Sequence, residues 1–521
     1  MCHVATRVRP VCHFYVRENL YIAGLHHATW DGSVSFSSKP STSHGASLLR
    51  SAAVIQTIYL ISLLSRSFNN PSLSRFHPCL GYSLCSALIF KGLTCSFHRR
   101  LHILQHAVAF QPAVVTPYTF ATIFVPAFFG YYVMAVLVQL PHSKLYRTAL
   151  LPVVFWLTFR ANMSLDFSGN DPAYDYLNQA LSVSVGASQG CTSSNSAIQL
   201  GMFTIAMRST TWMLVQRPYA RLPISTLGNG TIDGLNENTS TPTEHGVSVF
   251  SAMWNALDLI VNLRGIGWNG PQRMHISTPY FQVESRLIFV LLSLCRFTFL
   301  ALVFDTLRRS VHLLGPDTFG TPKGGTIFDP SLTPRERYMK AFIVTVLAGA
   351  NSYISIEFTY QVYAALFTIL FRQYPSQWPP LFDSPWLSTS LASLWGRRWH
   401  QAFRECFVAV GSKPLGRYLG RAGTVMGAFA VSGVLHDIGM RGMGRGGDTL
   451  AVAGFFLMQG VGVVMEHAWK QATGRRVGGV AGWLWTFSWL VLWGHPMVDA
   501  WARKGLLGAD LFPLNLPHWI N

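Results

Sequence analysis

The chain has 521 residues, half of them apolar and only 12% charged, with a formal net charge of +18. A soluble domain carries about 25% charged residues, so a chain this depleted presents much of its surface to lipid, and its mean hydropathy of +0.28 agrees. Its Lys and Arg residues are dispersed between apolar runs, as at Arg99-Arg100, Arg308-Arg309 and Arg475-Arg476. A nucleic-acid binder would gather them into a basic stripe with interleaved aromatics, so that class is set aside. Loop charges facing anionic lipid, or an anionic ligand, fit the dispersion better.

Taken in chain order, residues 1–47 are polar and rich in His and Ser, without the apolar run of a signal peptide. They read as a disordered tail, which leaves targeting to the first membrane helix. Runs near the 20 residues that cross a bilayer then follow at 48–65, 79–97, 119–140 and 196–215, with a short, re-entrant-length piece at 147–160. These make an N-terminal membrane segment over 48–215. Residues 216–285 form a polar loop region, rich in Gly, Asn, Thr and Pro through 216–247, with sequons at Asn229 and Asn238. Further runs at 286–304, 340–356, 357–371, 424–440, 449–466 and 480–498 build a second segment over 286–505, before a tail at 506–521.

The runs do not alternate as barrel strands do, and an open sheet has no partners for its edges in lipid. The expected class is all-α: a polytopic membrane bundle of about seven to ten transmembrane helices, with one interfacial amphipathic helix. The eight cysteines form no Cys-x-x-Cys pair, so neither a disulfide framework nor a metal site is expected.

Three segments carry chemistry. In the first, Trp378-Pro-Pro-Leu-Phe382 precedes Ser390-Leu391 and Trp395-Gly-Arg-Arg-Trp-His-Gln401. Read as one helix over 390–410, Trp395, Trp399, Phe403 and Phe407 share an apolar stripe, with Arg397, His400, Gln401 and Arg404 opposite. Two cations flanking a histidine suit an anionic or oxyanion-forming substrate, and Arg398 adds a third guanidinium. The competing account is an interfacial helix whose arginines snorkel to headgroups. In the second, His436 ends the apolar run Ala428-Phe-Ala-Val-Ser-Gly-Val-Leu-His436. An ionisable residue there is costly in lipid and a functional candidate, with a pKa suited to a general base; the competing account is a histidine bonded to a carbonyl. Gly427, Ser432 and Gly433 permit close helix approach. In the third, Arg264-Gly-Ile-Gly-Trp268 offers a tight turn, a phosphate partner and an aromatic anchor. Glu357 and Glu466 lie in or near apolar runs, each open between a structural and a site role.

These segments, with Trp483, Pro496 and Trp501 after them, occur in an order that resembles the fungal wax-synthase-domain acyltransferases, relatives of the membrane-bound O-acyltransferases. The resemblance covers roughly residues 250–505 and implies acyl transfer from acyl-CoA to a hydroxyl, with acetyl-CoA as co-substrate and no bound cofactor. It implies an endoplasmic-reticulum or other endomembrane location and a lipophilic terpenoid or meroterpenoid alcohol as acceptor. His436 falls on the family's catalytic histidine. His400 stands where relatives often carry asparagine, which leaves it between orienting the thioester carbonyl and positioning its helix. Arg397, Arg398, Trp399, Arg404, Arg264 and Trp268 are the implied acyl-CoA contacts. A long-chain wax-ester synthase is the rival within the class, and a polytopic transporter or a lipid-binding scaffold the rival outside it.

Overall fold

The computed structural model describes residues 113–114, 116–166, 192–222, 248–270, 275–277, 283–321, 323–442 and 447–508. The expected spans at 48–65 and 79–97, the N-terminal tail and both sequons lie outside the described residues. The protein is an all-α bundle of membrane type. Its main helices are α1 (Pro117–Leu137), α2 (Lys144–Ser164), α3 (Thr192–Leu214), α4 (Val249–Val261) and α5 (Arg286–Leu314). They continue with α6 (Pro334–Leu370), α7 (Lys413–Gly442), α8 (Thr449–Thr473) and α9 (Gly479–Arg503). A two-residue parallel pairing joins Ala113–Val114 to Leu165–Asp166.

Among the described residues, four helices are long and apolar enough to cross a bilayer: α1, α5, α6 and α8. α7 and α9, which cover the expected spans 424–440 and 480–498, are not among those four. α7 carries Lys413, Arg417, Arg421, Asp437 and Arg441, and α9 carries His495, Asp499 and Arg503. Two further expectations are corrected. The piece at 147–160 belongs to a helix of 21 residues that continues through the internal Pro152. The runs 340–356 and 357–371 form one helix of 37 residues. Its start is fixed by Pro334 in the first turn and a capping box, in which Thr333 and Glu336 each satisfy the other's backbone amide.

Each helix packs on the next in a spatial order unlike the chain order: α5, α6, α9, α8, α7, α3, α2, α1, α4. α7 is the middle of that series. A core of Tyr131, Met134, Leu151, Val154, Trp212 and Leu259 joins α1 to α4. A second, with Phe203, Met207, Val431, Leu435 and Ile438, seats α7 on α3.

Small residues set how closely α7 can be approached. A Cβ added at Gly427 would lie 2.3 Å from the carbonyl oxygen of Gly411, and one at Gly411 would lie 2.2 Å from that of Gly427. The backbone before α7 therefore touches α7 itself at Gly427. Gly433 likewise abuts Ala453 of α8 at 3.1 Å. α7 bends at Gly420, whose φ of 58° suits a residue without a Cβ. Because the obstacle at Gly427 is backbone rather than a flexible side chain, Gly427→Ala should cost about 1–3 kcal/mol. The expected readout is a lower thermal midpoint of the detergent-solubilised protein; an unchanged midpoint would refute the contact.

Candidate active site

Residues 371–412 connect α6 to α7 and carry the first motif. The single helix expected over 390–410 is absent. Leu391–Ser393 and a π-turn at Leu394–Arg398 come first, Trp399 is extended (φ −77°, ψ 154°), and helix resumes only at Arg404. Trp395 and Trp399 still share a cluster, 5.8 Å between ring centroids. The polar residues, however, do not form one face.

The break is held by the motif's own side chains. Gln401 Nε2 donates to the carbonyls of Trp395 (3.2 Å) and Trp399 (2.8 Å). Arg404 Nη1 donates to the Gly396 carbonyl (3.2 Å) and to Gln401 Oε1 (3.1 Å). Arg398 Nη1 donates to the carbonyls of Asp383 and Ser384, both at 3.0 Å. Arg397 is exposed. Of the three guanidiniums read as a ligand-facing set, two are thus engaged with loop carbonyls.

Glu466, deep in α8, fixes where the motif begins. Its carboxylate accepts the backbone N–H of Leu391 (2.6 Å) and Ala392 (2.9 Å) and the indole N–H of Trp485 (3.0 Å). A carboxylate on the free amides of a helical start satisfies donors that have no intrahelical partner. Of its two open roles, the structural one describes Glu466.

The Arg264-Gly-Ile-Gly-Trp268 turn lies against the Trp-Pro-Pro loop. Arg264 donates to the carbonyls of Pro379 (2.7 Å) and Pro380 (3.0 Å) and to the Tyr360 hydroxyl. Gly265 and Gly267 take φ of 62° and 82°, the left-handed region that favours glycine. Trp268 is 2% exposed and donates its indole N–H to Asp258 Oδ2 at 2.8 Å. Asp258 also faces Arg221 at 3.1 Å and accepts from Gln373 at 2.6 Å, and Gln373 in turn accepts from Trp378 at 2.9 Å. Asp258 is thus the hub that ties the glycine turn to the Trp378 loop, and sequence reasoning missed it. A signal existed: it is the only ionisable residue in the apolar run of α4.

His400 and His436 come from different segments and meet in one region. Ring contacts run continuously from one to the other: His400 to Trp399 at 5.7 Å, then Trp395, Phe455 and Phe456, and Phe456 stacked on His436 at 4.2 Å. His436 and Arg264 both act electrostatically on His400. His400, His436 and Tyr360 are each partly buried. Phe382 and Phe403 add aromatic walls, 5.8 and 6.2 Å from His400.

The two rings are chemically distinct. His436 Nδ1 lies 2.8 Å from the Ser432 carbonyl one turn back. A carbonyl can only accept, so Nδ1 carries the hydrogen, and in the neutral ring Nε2 is left with its lone pair. Asp437 points elsewhere, to Arg441 Nε and Thr449 Oγ1, both at 2.8 Å. His400 Nδ1 is buried without a hydrogen-bond partner. Burial first, then the charges of His436 and Arg264, holds the His400 imidazole down at about 3, so this ring is neutral at physiological pH. No cluster of His, Cys, Asp and Glu able to hold a metal ion occurs among the described residues.

Residues 378–458 match the membrane bound O-acyl transferase family, a segment that contains both histidines and Phe456. A long-chain-alcohol O-fatty-acyltransferase of Simmondsia chinensis is 30% identical over 146 residues, covering 26% of this chain and 40% of that protein. The acetyltransferase aurG of Calcarisporium arbuscula is 30% identical over 172 residues, 30% of this chain and 41% of that protein. The acetyltransferase eriL of Hericium erinaceus is 29% identical over 195 residues, 34% of this chain and 50% of that protein. The chain spans half or less of the length of these relatives. The chain thus carries helices able to span a membrane and, over residues 378–458, a segment similar to the membrane bound O-acyl transferases.

Proposed function

We propose that this protein transfers an acetyl group from acetyl-CoA to a hydroxyl of a lipophilic secondary metabolite, a terpenoid or meroterpenoid alcohol, in an endomembrane such as the endoplasmic reticulum. The reading is carried by one observation: His436, with its Nδ1 hydrogen committed to Ser432 and Nε2 left basic, lies close enough to a second, neutral histidine, His400, to act on it electrostatically. Two relatives named acetyltransferases support the acyl group.

In this mechanism both substrates are bound together. His436 Nε2 takes the proton of the acceptor hydroxyl as its oxygen attacks the thioester carbon. The carbonyl π electrons move to oxygen, and His400 orients that oxygen or steadies its charge, a kind of contribution worth about 3–4 kcal/mol elsewhere. Collapse restores the carbonyl and breaks the carbon–sulfur bond. The CoA thiolate leaves and takes up a proton, and the ester remains. One Gly-x-Ser-x-Gly string, Gly186-Ala-Ser188-Gln-Gly190, lies outside both the described residues and the matched segment 378–458, and this mechanism invokes no acyl-serine. The aromatic walls suit an acceptor that partitions into lipid, and Arg397 is the exposed candidate for a CoA phosphate.

The named long-chain-alcohol relative favours a second reading, wax-ester synthesis. Membranes containing the protein, given an alcohol acceptor and acyl-CoAs from acetyl to palmitoyl, separate the two. The acetyl ester is expected as the main product. Ester formed only from long-chain donors would replace the acetyl reading with the second one, and no ester from any donor would end both.

A further inference from the structure

Inside α7 the chain reverses direction. Gly420 takes φ 58° and ψ −140°, in the half of backbone space that favours glycine, and the segments 413–419 and 421–442 on either side of it run antiparallel. A Cβ added at Gly416 would sit 3.5 Å from the Cα of Thr424, and one at Gly423 would meet the Leu415 carbonyl. On an unbroken helix, residues eight positions apart are separated by about 12 Å. Together with the contact between Gly411 and Gly427, these approaches make a helical hairpin closed by small residues. The Thr424 hydroxyl donates to the Gly420 carbonyl at 3.1 Å and completes the turn.

The tip of this hairpin is basic and bare. Lys413, Arg417 and Arg421 are exposed, and none of them is paired with an acid among the described residues. No Asp or Glu occurs anywhere between Glu405 and Asp437. Between the two arginines, Tyr418 and Leu419 are 84% and 62% exposed. A protruding aliphatic side chain beside a tyrosine, with cations on both sides, matches the level where a bilayer meets water. There the leucine reaches acyl chains, the tyrosine sits at the boundary and the cations extend to phosphates. The tip is remote from the histidine pair, because His436 lies about 24 Å from Gly420 along the second leg.

We propose that this hairpin tip is a docking site for anionic phospholipid, which seats α7 on a negatively charged leaflet and so fixes the depth of the helix that carries His436. Charge complementarity selects the lipid. Three cations without a neighbouring acid gain nothing from a zwitterionic surface, whereas each is worth about fivefold in affinity beside an anionic one. The inference concerns membrane seating and holds whichever reaction the histidines serve.

The test uses the full-length protein in vesicles of phosphatidylcholine, alone or mixed with phosphatidylserine, with hydrogen–deuterium exchange followed over residues 413–424. Exchange around the turn should be slower in the mixed vesicles by about fivefold or more, and high salt should reverse most of that difference. Lys413→Gln, Arg417→Gln and Arg421→Gln combined should abolish the difference while leaving the thermal midpoint unchanged, since exposed side chains contribute little packing. If the triple variant is poorly produced, Arg417→Gln alone should reduce the difference. Equal exchange in the two kinds of vesicle, or a difference that survives these substitutions, overturns the proposal. So does an equal slowing by coenzyme A in pure phosphatidylcholine vesicles, which would assign the tip to a soluble phosphate.

Discussion

His436→Ala is expected to lower ester formation by at least about 100-fold, the lower end of what a positioned general base contributes. Protein level should hold, because the substitution removes one ring–carbonyl bond and leaves the α7 backbone and its contacts at Gly427 and Gly433 in place. The measurement is acetyl transfer from labelled acetyl-CoA in membranes with matched amounts of the two proteins. Undiminished product would remove the base role from His436. The His400 ring differs in a way that pH reveals. Because its conjugate acid is disfavoured down to about 3, lowering the pH from 7 to 5 does not charge it. An acidic limb in the rate profile should therefore persist in His400→Asn, with the same midpoint as in wild type. If that limb vanished with the substitution, His400 would be the titrating group and the assignment of the two rings would reverse.

Glu466→Ala should be the most damaging change outside the histidine pair. It strips acceptors from two backbone amides and one indole N–H at a site that is 7% exposed. Each unsatisfied buried donor costs about 1–3 kcal/mol, so the sum rivals the whole stability of an ordinary domain, about 5–15 kcal/mol. The strand of consequence runs from Leu391 through the π-turn to Trp395, Trp399 and His400. Acetyl transfer should fall to background, and proteolysis should open the chain between α6 and α7. Glu466→Gln keeps one acceptor oxygen and should retain part of both. Equal behaviour of the alanine and glutamine variants would show that the carboxylate does not organise the motif.

Much of the body was legible from hydropathy, since runs such as 119–140 and 286–304 need only length and apolarity to declare themselves. The glycines of α7 were legible for a similar reason, as small residues in an apolar run have few other uses. The join of 340–356 to 357–371 was not. Glu357 falls at that boundary and invites a break, but the helical backbone bonds past a single charge without interruption. The 390–410 segment failed differently. Projecting it at a fixed angle per residue presumes a continuous helix, and the break at Trp399 is held by Gln401 and Arg404 reaching back to carbonyls, which residue spacing does not encode. Arg264 and Trp268 were singled out as acyl-CoA contacts, a phosphate partner and an aromatic anchor, whereas the structure shows both engaged with the protein itself. The partners they meet, Asp258 and the Pro379–Pro380 carbonyls, depend on how distant loops fold together.

The length of α6 has a further effect. At 1.5 Å per residue its 37 residues extend for about 55 Å, against a hydrocarbon layer about 30 Å thick. Lys340, near the start of this helix, is paired with Asp329 at 3.4 Å, and Glu357 lies roughly 26 Å further along the axis, a distance comparable with the apolar thickness. Hydrophobic mismatch then becomes a control on chemistry. A thicker or thinner bilayer would tilt this helix and change the depth of every side chain it carries toward the histidine region.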